Sequence, residues 1–212
     1  MQGEGYLKPG EAAIGIVVLG VSGCGKSTIG KMLAPPLGAV FLEGDDYHSS
    51  ANVAKMRSGQ PLDDTDRWPW LEKLGGAAGD HLRQGRSVVV ACSALRRAYR
   101  EALTKAARAD LIFVHLTIDK ATIAARMQAR QQHFMPVSLL ESQLATLEPL
   151  APDENGTEIT EASTAQETVR AIERWLKLRA EGHVDGHEKG RQRRPFAREE
   201  KFLNSLKSGE GD

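Results

Sequence analysis

The segment GVSGCGKST, residues 20–28, constrains the fold of this chain more than any other. It fits the pattern G-x-x-x-x-G-K-[ST], with glycines at Gly20 and Gly25 and the closing pair at Lys26 and Ser27. The apolar run IGIVVL precedes the segment, and the run KSTIGKMLAPPL, with helical periodicity, follows it. A strand, a glycine-rich turn and a helix in this order are the context of a phosphate-binding loop, or P-loop. We therefore predict a nucleotide site here.

Each part of this loop has a physical task in holding phosphate. Glycines permit backbone angles that other residues avoid, and the helix N-terminus adds the positive end of its dipole. Lys26 is expected to reach the β- and γ-phosphates, and the Ser27 hydroxyl to ligate Mg²⁺. Cys24 contributes either its backbone N–H or a reactive thiol. The predicted nucleotide-binding residues are Gly20, Val21, Ser22, Gly23, Cys24, Gly25, Lys26, Ser27 and Thr28.

Short apolar runs alternate with segments of helical periodicity along the chain, which predicts an α/β fold. Runs without polar alternation suit strands covered on both faces, and hence a parallel sheet flanked by helices. With the loop above, this is a P-loop NTPase fold. We predict strands at 14–19, 40–42, 88–91 and 111–116 and a weaker one at 157–160, and helices at 26–37, 70–82, 99–107, 120–130, 138–147 and 165–178.

The ends of the chain differ in character from the predicted domain, which spans residues 14–180. Residues 1–13 form an N-terminal extension. Residues 181–212 include several glycines and the run RQRR, with as many acidic as basic residues. Such a segment buries little apolar surface, so we predict a mobile tail in which only residues 196–206 could form a short helix.

Composition limits the classes of partner. The chain of 212 residues carries 28 Lys+Arg and 28 Asp+Glu, so no net field attracts nucleic acid or an anionic membrane. No apolar run approaches the ~18 residues of a membrane span, and the N-terminus lacks a signal-peptide pattern. Two cysteines are too few for a disulfide framework. We therefore expect a cytoplasmic protein. A guanine-selecting N-K-x-D is absent, which disfavours a regulatory GTPase and favours a small-molecule kinase.

An acceptor pocket is predicted after the second strand, where FLEGDDYHSSAN turns from apolar to acidic. Ligands of doubly wound sheets bind beyond the carboxyl ends of the strands. A carboxylate there could deprotonate an acceptor hydroxyl. Next comes NVAKMRSGQPLDDTDRWPWL, whose charged residues surround two tryptophans, a pattern typical of a functional loop.

The residues together resemble a known family. The blocks GVSGCGKST, GDDYHSSANVAKMRSGQPLDDTDRWPWL, ACSALRRAYR and RQQHFMPVSLLESQLATLEP are similar to successive blocks of gluconokinases, small P-loop kinases that phosphorylate D-gluconate on its 6-hydroxyl with ATP. The similarity runs from about residue 14 to about residue 178. It implies a nucleoside monophosphate kinase-like fold with a short lid, ATP and Mg²⁺ as cofactors, D-gluconate as substrate, and a homodimer.

The resemblance also implies roles for acidic residues and their neighbours. Asp45 matches the family's second-strand aspartate and is our predicted base or orienting carboxylate. Glu43 either acts through Mg²⁺-bound water or belongs to a polar loop. Asp46 is expected to face solvent. His48 is predicted to bind a sugar hydroxyl. Asp66 either pairs with Arg67 or caps the following helix.

The substrate carboxylate needs a cation, and the sequence offers several. We expect Arg67 to hold it, because an arginine fork matches a carboxylate and Pro69 stiffens its segment, although spacing alone also allows Arg57 or Lys55. Trp68 and Trp70 are expected to be packing anchors rather than sugar-stacking platforms. Further substrate or phosphate contacts are predicted for Ser93 and Arg100, whereas Arg96 and Arg97 fit a solvated helix face.

A lid is predicted at RMQARQQHFMP. Arg126 and Arg130 lie four residues apart, hence on one face of a helix, and the resemblance implies that such arginines close over ATP. Closure excludes water from the reaction. Arg130 joins Lys26 and Asp45 as a predicted catalytic residue, and His133 is predicted to contact substrate.

Two other functions remain open from the residues alone. One is a related small-molecule kinase of the shikimate kinase or adenylylsulfate kinase type. The other is a non-catalytic nucleotide-binding protein that recruits a partner through its tail. The blocks between the second and third strands disfavour the first alternative, and the balanced charge of the tail disfavours the second.

Overall fold

Five parallel strands form a central sheet in a computed structural model that describes residues 13–129, 138–160 and 164–181. The strands are β1 (Gly15–Leu19), β2 (Val40–Glu43), β3 (Val88–Ala91), β4 (Leu111–Thr117) and β5 (Gly156–Thr160). Their spatial order is β2-β3-β1-β4-β5, with Ile16 opposite Val89 on one side and Ile112 on the other. The predicted strands, including the weak fifth one, and the parallel sheet are confirmed.

The helices alternate with the strands as expected. They are α1 (Lys26–Leu33), α2 (Ser50–Arg57), α3 (Asp64–Arg83), α4 (Arg97–Ala107), α5 (Lys120–Ala129), α6 (Ser138–Thr146) and α7 (Ala165–Ala180), with a 3₁₀ turn at Gly44–Tyr47. No helix in the described part of the chain combines the length and the apolar character needed to span a bilayer.

The sheet separates two layers of core, and the strand β1 shows why. Its successive side chains point to opposite faces, so Ile16 and Val18 pack in one layer while Val17 and Leu19 pack in the other. The first layer includes buried residues of α1 and α7, and the second includes residues of α3 and α4. Burial on both faces explains why the strand is a continuous apolar run.

Two helix boundaries differ clearly from the sequence prediction, and one helix was not predicted. The helix α1 ends at Leu33 rather than at 37, because Pro35 and Pro36 cannot continue the backbone ladder. The helix α3 begins at Asp64, six residues earlier than predicted, since a capping box starts it ahead of Pro69. The helix α2 was not predicted. Its buried residues are only Asn52 and Met56, too few for a clear apolar stripe.

Candidate active site

One cleft lies beyond the carboxyl ends of β1, β2 and β3. The phosphate loop follows β1, the acidic turn follows β2, and Ser93 follows β3. Residues of the helices α3 and α6 also line this cleft. The lining residues are Ser22, Lys26, Asp45, His48, Met56, Pro61, Leu62, Arg67, Trp70, Ser93, Leu95, Ser142 and Gln143.

The phosphate loop has the backbone geometry that the sequence predicts. Gly25 adopts φ 97°, in the left-handed region, and directly precedes α1. Gly20 adopts φ 140°, and a Cβ there would lie 2.8 Å from Cys24 Sγ and 3.0 Å from the Leu116 carbonyl oxygen. Lys26 Nζ donates to the Val21 carbonyl at 3.0 Å, which holds the ammonium over the loop. The loop therefore presents the start of α1 and one lysine to an anion in the cleft.

Glu43, at the end of β2, lies against the phosphate loop. Burial raises the pKa of its carboxyl group, and the nearby Asp45 raises it further, while a hydrogen bond with the Ser27 hydroxyl and the charge of Lys26 lower it. The arrangement brings two hard oxygen donors, from Ser27 and Glu43, to the start of α1. Within residues 13–129, 138–160 and 164–181, no three His, Cys, Asp or Glu side chains form a protein metal cage.

His48 packs against Trp70 on the wall of the cleft. The two rings stack with centroids 4.1 Å apart, and the buried Trp70 donates Nε1–H to the Gly44 carbonyl at 2.7 Å. Burial is the main cause that lowers the pKa of His48. The negative charge of Asp45 raises this pKa, and the positive charge of Arg67 lowers it. The net direction favours the neutral imidazole. Trp70 is thus a packing anchor, as predicted.

Arg67 enters the cleft from the first turns of α3 and is held from behind. Its Nη1 donates to the Tyr99 hydroxyl at 3.1 Å, and the Tyr99 hydroxyl donates to Asp64 Oδ1 at 2.5 Å. Trp68 is 40% exposed and meets Tyr99 edge to face, with centroids 5.3 Å apart. Three cations were predicted for the substrate carboxylate, namely Lys55, Arg57 and Arg67. Of these, Arg67 lines the cleft, as Asp45 does.

Lys55 and Arg57 are not among the residues that line the cleft. Lys55 Nζ pairs with Asp63 Oδ2 at 3.0 Å and with Asp66, the two carboxylates that form the capping box of α3. The alternative that Asp66 caps the helix is therefore the one observed. Arg57 is exposed on α2. Lys55 is committed to fixing the start of α3, and its predicted substrate contact is not supported by this geometry.

Arg100 requires a correction. Its side chain is 1% exposed and lies in an ion pair with Glu154, at 2.6 Å from Nε to Oε1. Its Nη1 also donates to the backbone carbonyls of Ala94 and Glu148. The arginine thus joins the loop after β3 to the loop before β5, and it is not among the residues that line the cleft, which does not support its predicted contact with substrate. Arg97, which was predicted to lie on a solvated helix face, is exposed and pairs with Asp153 at 2.8 Å.

The remaining predicted residues fall in three groups. Ser93 lines the cleft, whereas Asp46 and Thr28 are exposed. Cys24 and Cys92 are buried free thiols, and burial raises the pKa of Cys92 to about 12, which keeps it protonated. Of the predicted lid, Arg126 lies on α5, while Arg130 and His133 fall outside the described residues.

Gln143 of α6 is a site residue whose contact with the phosphate loop the sequence analysis does not predict. Its Oε1 accepts the backbone N–H of Ser22 at 2.6 Å, and Ser22 itself is buried. This bond joins the helix that follows the predicted lid to the phosphate loop, across 121 positions of sequence. Only the spatial arrangement could show it, because the residues around Gln143 have no recognisable ligand spacing.

Comparisons with known proteins agree with this arrangement. A family model described as an AAA domain matches residues 16–150. A gluconokinase of Gluconobacter oxydans is 49% identical over 142 residues, which cover 66% of this chain and 78% of that protein. The chain belongs to the gluconokinase family. Membership in the gluconokinase family makes it a P-loop kinase that uses ATP.

Two solved structures show the same fold at high sequence identity. A gluconokinase from Sinorhizobium meliloti is 44% identical, with a TM-score of 0.65, and the match covers 76% of this chain and 89% of that one. A sugar kinase from a Janibacter species, solved without ligand, is 42% identical with a TM-score of 0.73, covering 77% of this chain and 94% of that one. The P-loop kinase fold expected from the gluconokinase resemblance is confirmed.

Proposed function

We propose that this chain transfers the γ-phosphoryl group of ATP to the 6-hydroxyl of D-gluconate, giving 6-phospho-D-gluconate and ADP, a product that feeds the pentose phosphate pathway. The observation that carries the proposal is the joint placement of Lys26, Asp45 and Arg67 in one cleft. A phosphate-binding lysine, a carboxylate and a guanidinium are the three groups that an ATP-dependent kinase of a hydroxy acid needs. The relatives named gluconokinase support this substrate.

Asp45 is the residue that orients the acceptor hydroxyl and takes its proton. It lines the cleft on the 3₁₀ turn beside the phosphate loop, whereas its neighbour Asp46 is exposed. His48, held neutral against Trp70, and Ser93 offer hydrogen bonds to further hydroxyls of the polyol. Arg67 binds the substrate carboxylate as a fork, a geometry that lysine cannot provide.

Positive charge surrounds the transferred phosphoryl group. Lys26 holds the β- and γ-phosphates, and the backbone N–H groups of residues 20–28 hold the rest of the triphosphate. Arg126 on α5 and the predicted lid residues Arg130 and His133 are the further groups that we propose for contact with ATP and substrate. Their role is to offset charge that develops in the transition state and to keep water from acting as acceptor.

Mg²⁺ fits the residues present at the start of α1. The Ser27 hydroxyl and the Glu43 carboxylate are hard oxygen donors in contact with each other, as this ion prefers. Bound with ATP, Mg²⁺ supplies charge neutralisation between the β- and γ-phosphates. We further propose that the enzyme is a cytoplasmic homodimer that acts on small molecules rather than on nucleic acid or membranes, in line with its balanced charge.

A coupled assay of ADP release tests the proposal. The purified protein is given ATP with D-gluconate, other sugar acids and polyols, shikimate or adenylylsulfate, and turnover with D-gluconate is expected. Activity confined to shikimate or adenylylsulfate would favour the related small-molecule kinases. In the same assay Arg67→Ala should raise the KM for gluconate by about 10²-fold while the KM for ATP stays close to that of the wild type.

A further inference from the structure

Behind the pocket-facing Arg67 lies a chain of hydrogen bonds with a defined direction. Asp64 Oδ1 accepts from the Tyr99 hydroxyl at 2.5 Å, and the Tyr99 oxygen accepts from Arg67 Nη1 at 3.1 Å. Two of these residues lie at the start of α3 and the third in the first turn of α4. The chain joins residues 32 and 35 positions apart, so it ties the two helices together where they border the cleft.

The phenol is suited to this place because it has one proton and accepting lone pairs. Burial and the hydrogen bond to Asp64 raise the pKa of Tyr99, so the phenol stays protonated. With its proton committed to Asp64, the oxygen can only accept from the guanidinium. Phenylalanine in its place would keep the ring and lose this single acceptor.

The ring of Tyr99 restricts Arg67 as well. The guanidinium carbon lies 5.2 Å from the ring centroid, and that of Arg96 lies 5.9 Å from it. Arg96 Nη1 also pairs with Asp64 Oδ2 at 3.3 Å, which fixes the carboxylate that accepts from the phenol. Tyr99 is 2% exposed, which limits the access of water to its hydroxyl. The guanidinium is therefore held by a hydrogen bond at one nitrogen and by the ring beside it.

We propose that Tyr99 is a positioning residue that turns the guanidinium of Arg67 so that its remaining N–H groups face the substrate carboxylate. This inference rests on the proposed function, in which Arg67 binds that carboxylate. Among the residues that the structure describes, no acceptor lies on Nε or Nη2 of Arg67 within hydrogen-bond distance. A guanidinium that is hydrogen-bonded at one nitrogen and open at the others binds a substrate that carries a carboxylate in preference to a neutral polyol.

The variant Tyr99→Phe tests the inference, because it removes the hydroxyl and keeps the packed ring. We expect the KM for gluconate to rise about tenfold, with kcat and the KM for ATP within twofold of the wild type. In an Arg67→Ala background the same substitution should have no further effect on the KM for gluconate, since the group that it positions is gone. A merely structural role would not give this pattern.

Tyr47→Phe is the matched control. Tyr47 is the other tyrosine in the described part of the chain, and its ring contacts Lys73 outside the cleft-lining set. The variant Tyr47→Phe should leave the KM for gluconate and the KM for ATP unchanged. If Tyr99→Phe does not fold, Asp64→Asn weakens the acceptor for the phenol and should raise the KM for gluconate in the same direction, by about threefold.

The inference is overturned if the effect of Tyr99→Phe persists in full without Arg67, or if kcat falls while the KM for gluconate does not change. Failure of the proposed function itself has a different signature. In that case the wild-type protein shows no turnover with gluconate, and no comparison of variants is needed.

Discussion

Three acidic residues at the end of β2 and directly after it differ in their surroundings, although the sequence presents them as one cluster. Glu43 is partly buried against Ser27, Asp45 lines the cleft, and Asp46 is exposed. The backbone of the 3₁₀ turn at Gly44–Tyr47 causes this separation, because consecutive side chains of such a turn point in different directions. Of the three carboxylates, that of Asp45 is thereby placed among the residues that line the cleft.

Replacing Asp45 should remove the chemical step more than it removes binding. The variant Asp45→Asn keeps the size of the side chain and loses the base, so we expect kcat to fall by roughly 10² or more while the KM for ATP stays nearly unchanged. Steady-state kinetics in the ADP-release assay measure both. Asp46→Asn is the matched control and should retain wild-type kcat, since its side chain is exposed. Equal losses in the two variants would contradict the assignment.

His48 makes stability depend on pH with a definite sign. Its folded-state pKa lies below the ordinary value of 6.5, chiefly because of burial, while Arg67 and Asp45 act on it in opposite directions. As pH falls below 6.5, the unfolded chain takes up a proton that the folded chain does not, so the free energy of unfolding decreases. Urea unfolding at several pH values between 5 and 8 should show a shallower decrease for His48→Gln. If the free energy of unfolding depends on pH in the same way in the wild type and in His48→Gln, His48 does not cause the decrease.

At the scale of elements, the start of α3 shows what a local pattern can and cannot predict. Asp63 and Asp66 form a capping box that was present in the sequence, yet the prediction began the helix at residue 70. The earlier start places Arg67 on the helix and orients it toward the cleft. The pairing of Lys55 with these carboxylates joins residues of two helices, so sequence spacing could not reveal it.

The contact between α6 and the phosphate loop should matter for nucleotide binding. In Gln143→Ala the buried N–H of Ser22 loses its acceptor at 2.6 Å, and the loop can turn away from its phosphate-binding geometry. We expect the KM for ATP to rise about fivefold. The exposed Glu141 lies on the same helix, and Glu141→Gln is the control. An unchanged KM for ATP in Gln143→Ala would show that the bond does not shape the nucleotide site.

The buried pair of Arg100 and Glu154 should support stability rather than catalysis. Removing one partner leaves the other charge buried, which costs about 3–5 kcal/mol in the free energy of unfolding. Arg100→Met and Glu154→Gln are therefore each expected to lower stability in urea, and the double variant to lower it by less than the sum. At temperatures where the variants are folded, the KM for gluconate should not change. A selective rise of that KM would restore the substrate role first predicted for Arg100.

At the scale of the whole molecule, the fold follows from the sequence more directly than the site does. Continuous apolar runs such as Val88–Ala91 predict strands covered on both faces, and each is found in the sheet with its parallel register. The phosphate loop is local in sequence and is predicted in full. Residues such as Tyr99 and Gln143 act through partners 32 to 121 positions away, so only the folded chain shows their roles.

The proposed domain boundary gives a test of the whole molecule. The described elements end with α7, whose buried residues Val169, Ile172 and Leu176 pack in the same layer of core as α1. A protein that ends at Glu181 keeps this layer, the cleft and the predicted lid. We expect its kcat, both KM values and its midpoint of thermal unfolding to match those of the full chain. A lower midpoint or a selective loss of activity would place residues 182–212 within the catalytic domain, while a truncation before Leu176 should destabilise the protein by exposing that core layer.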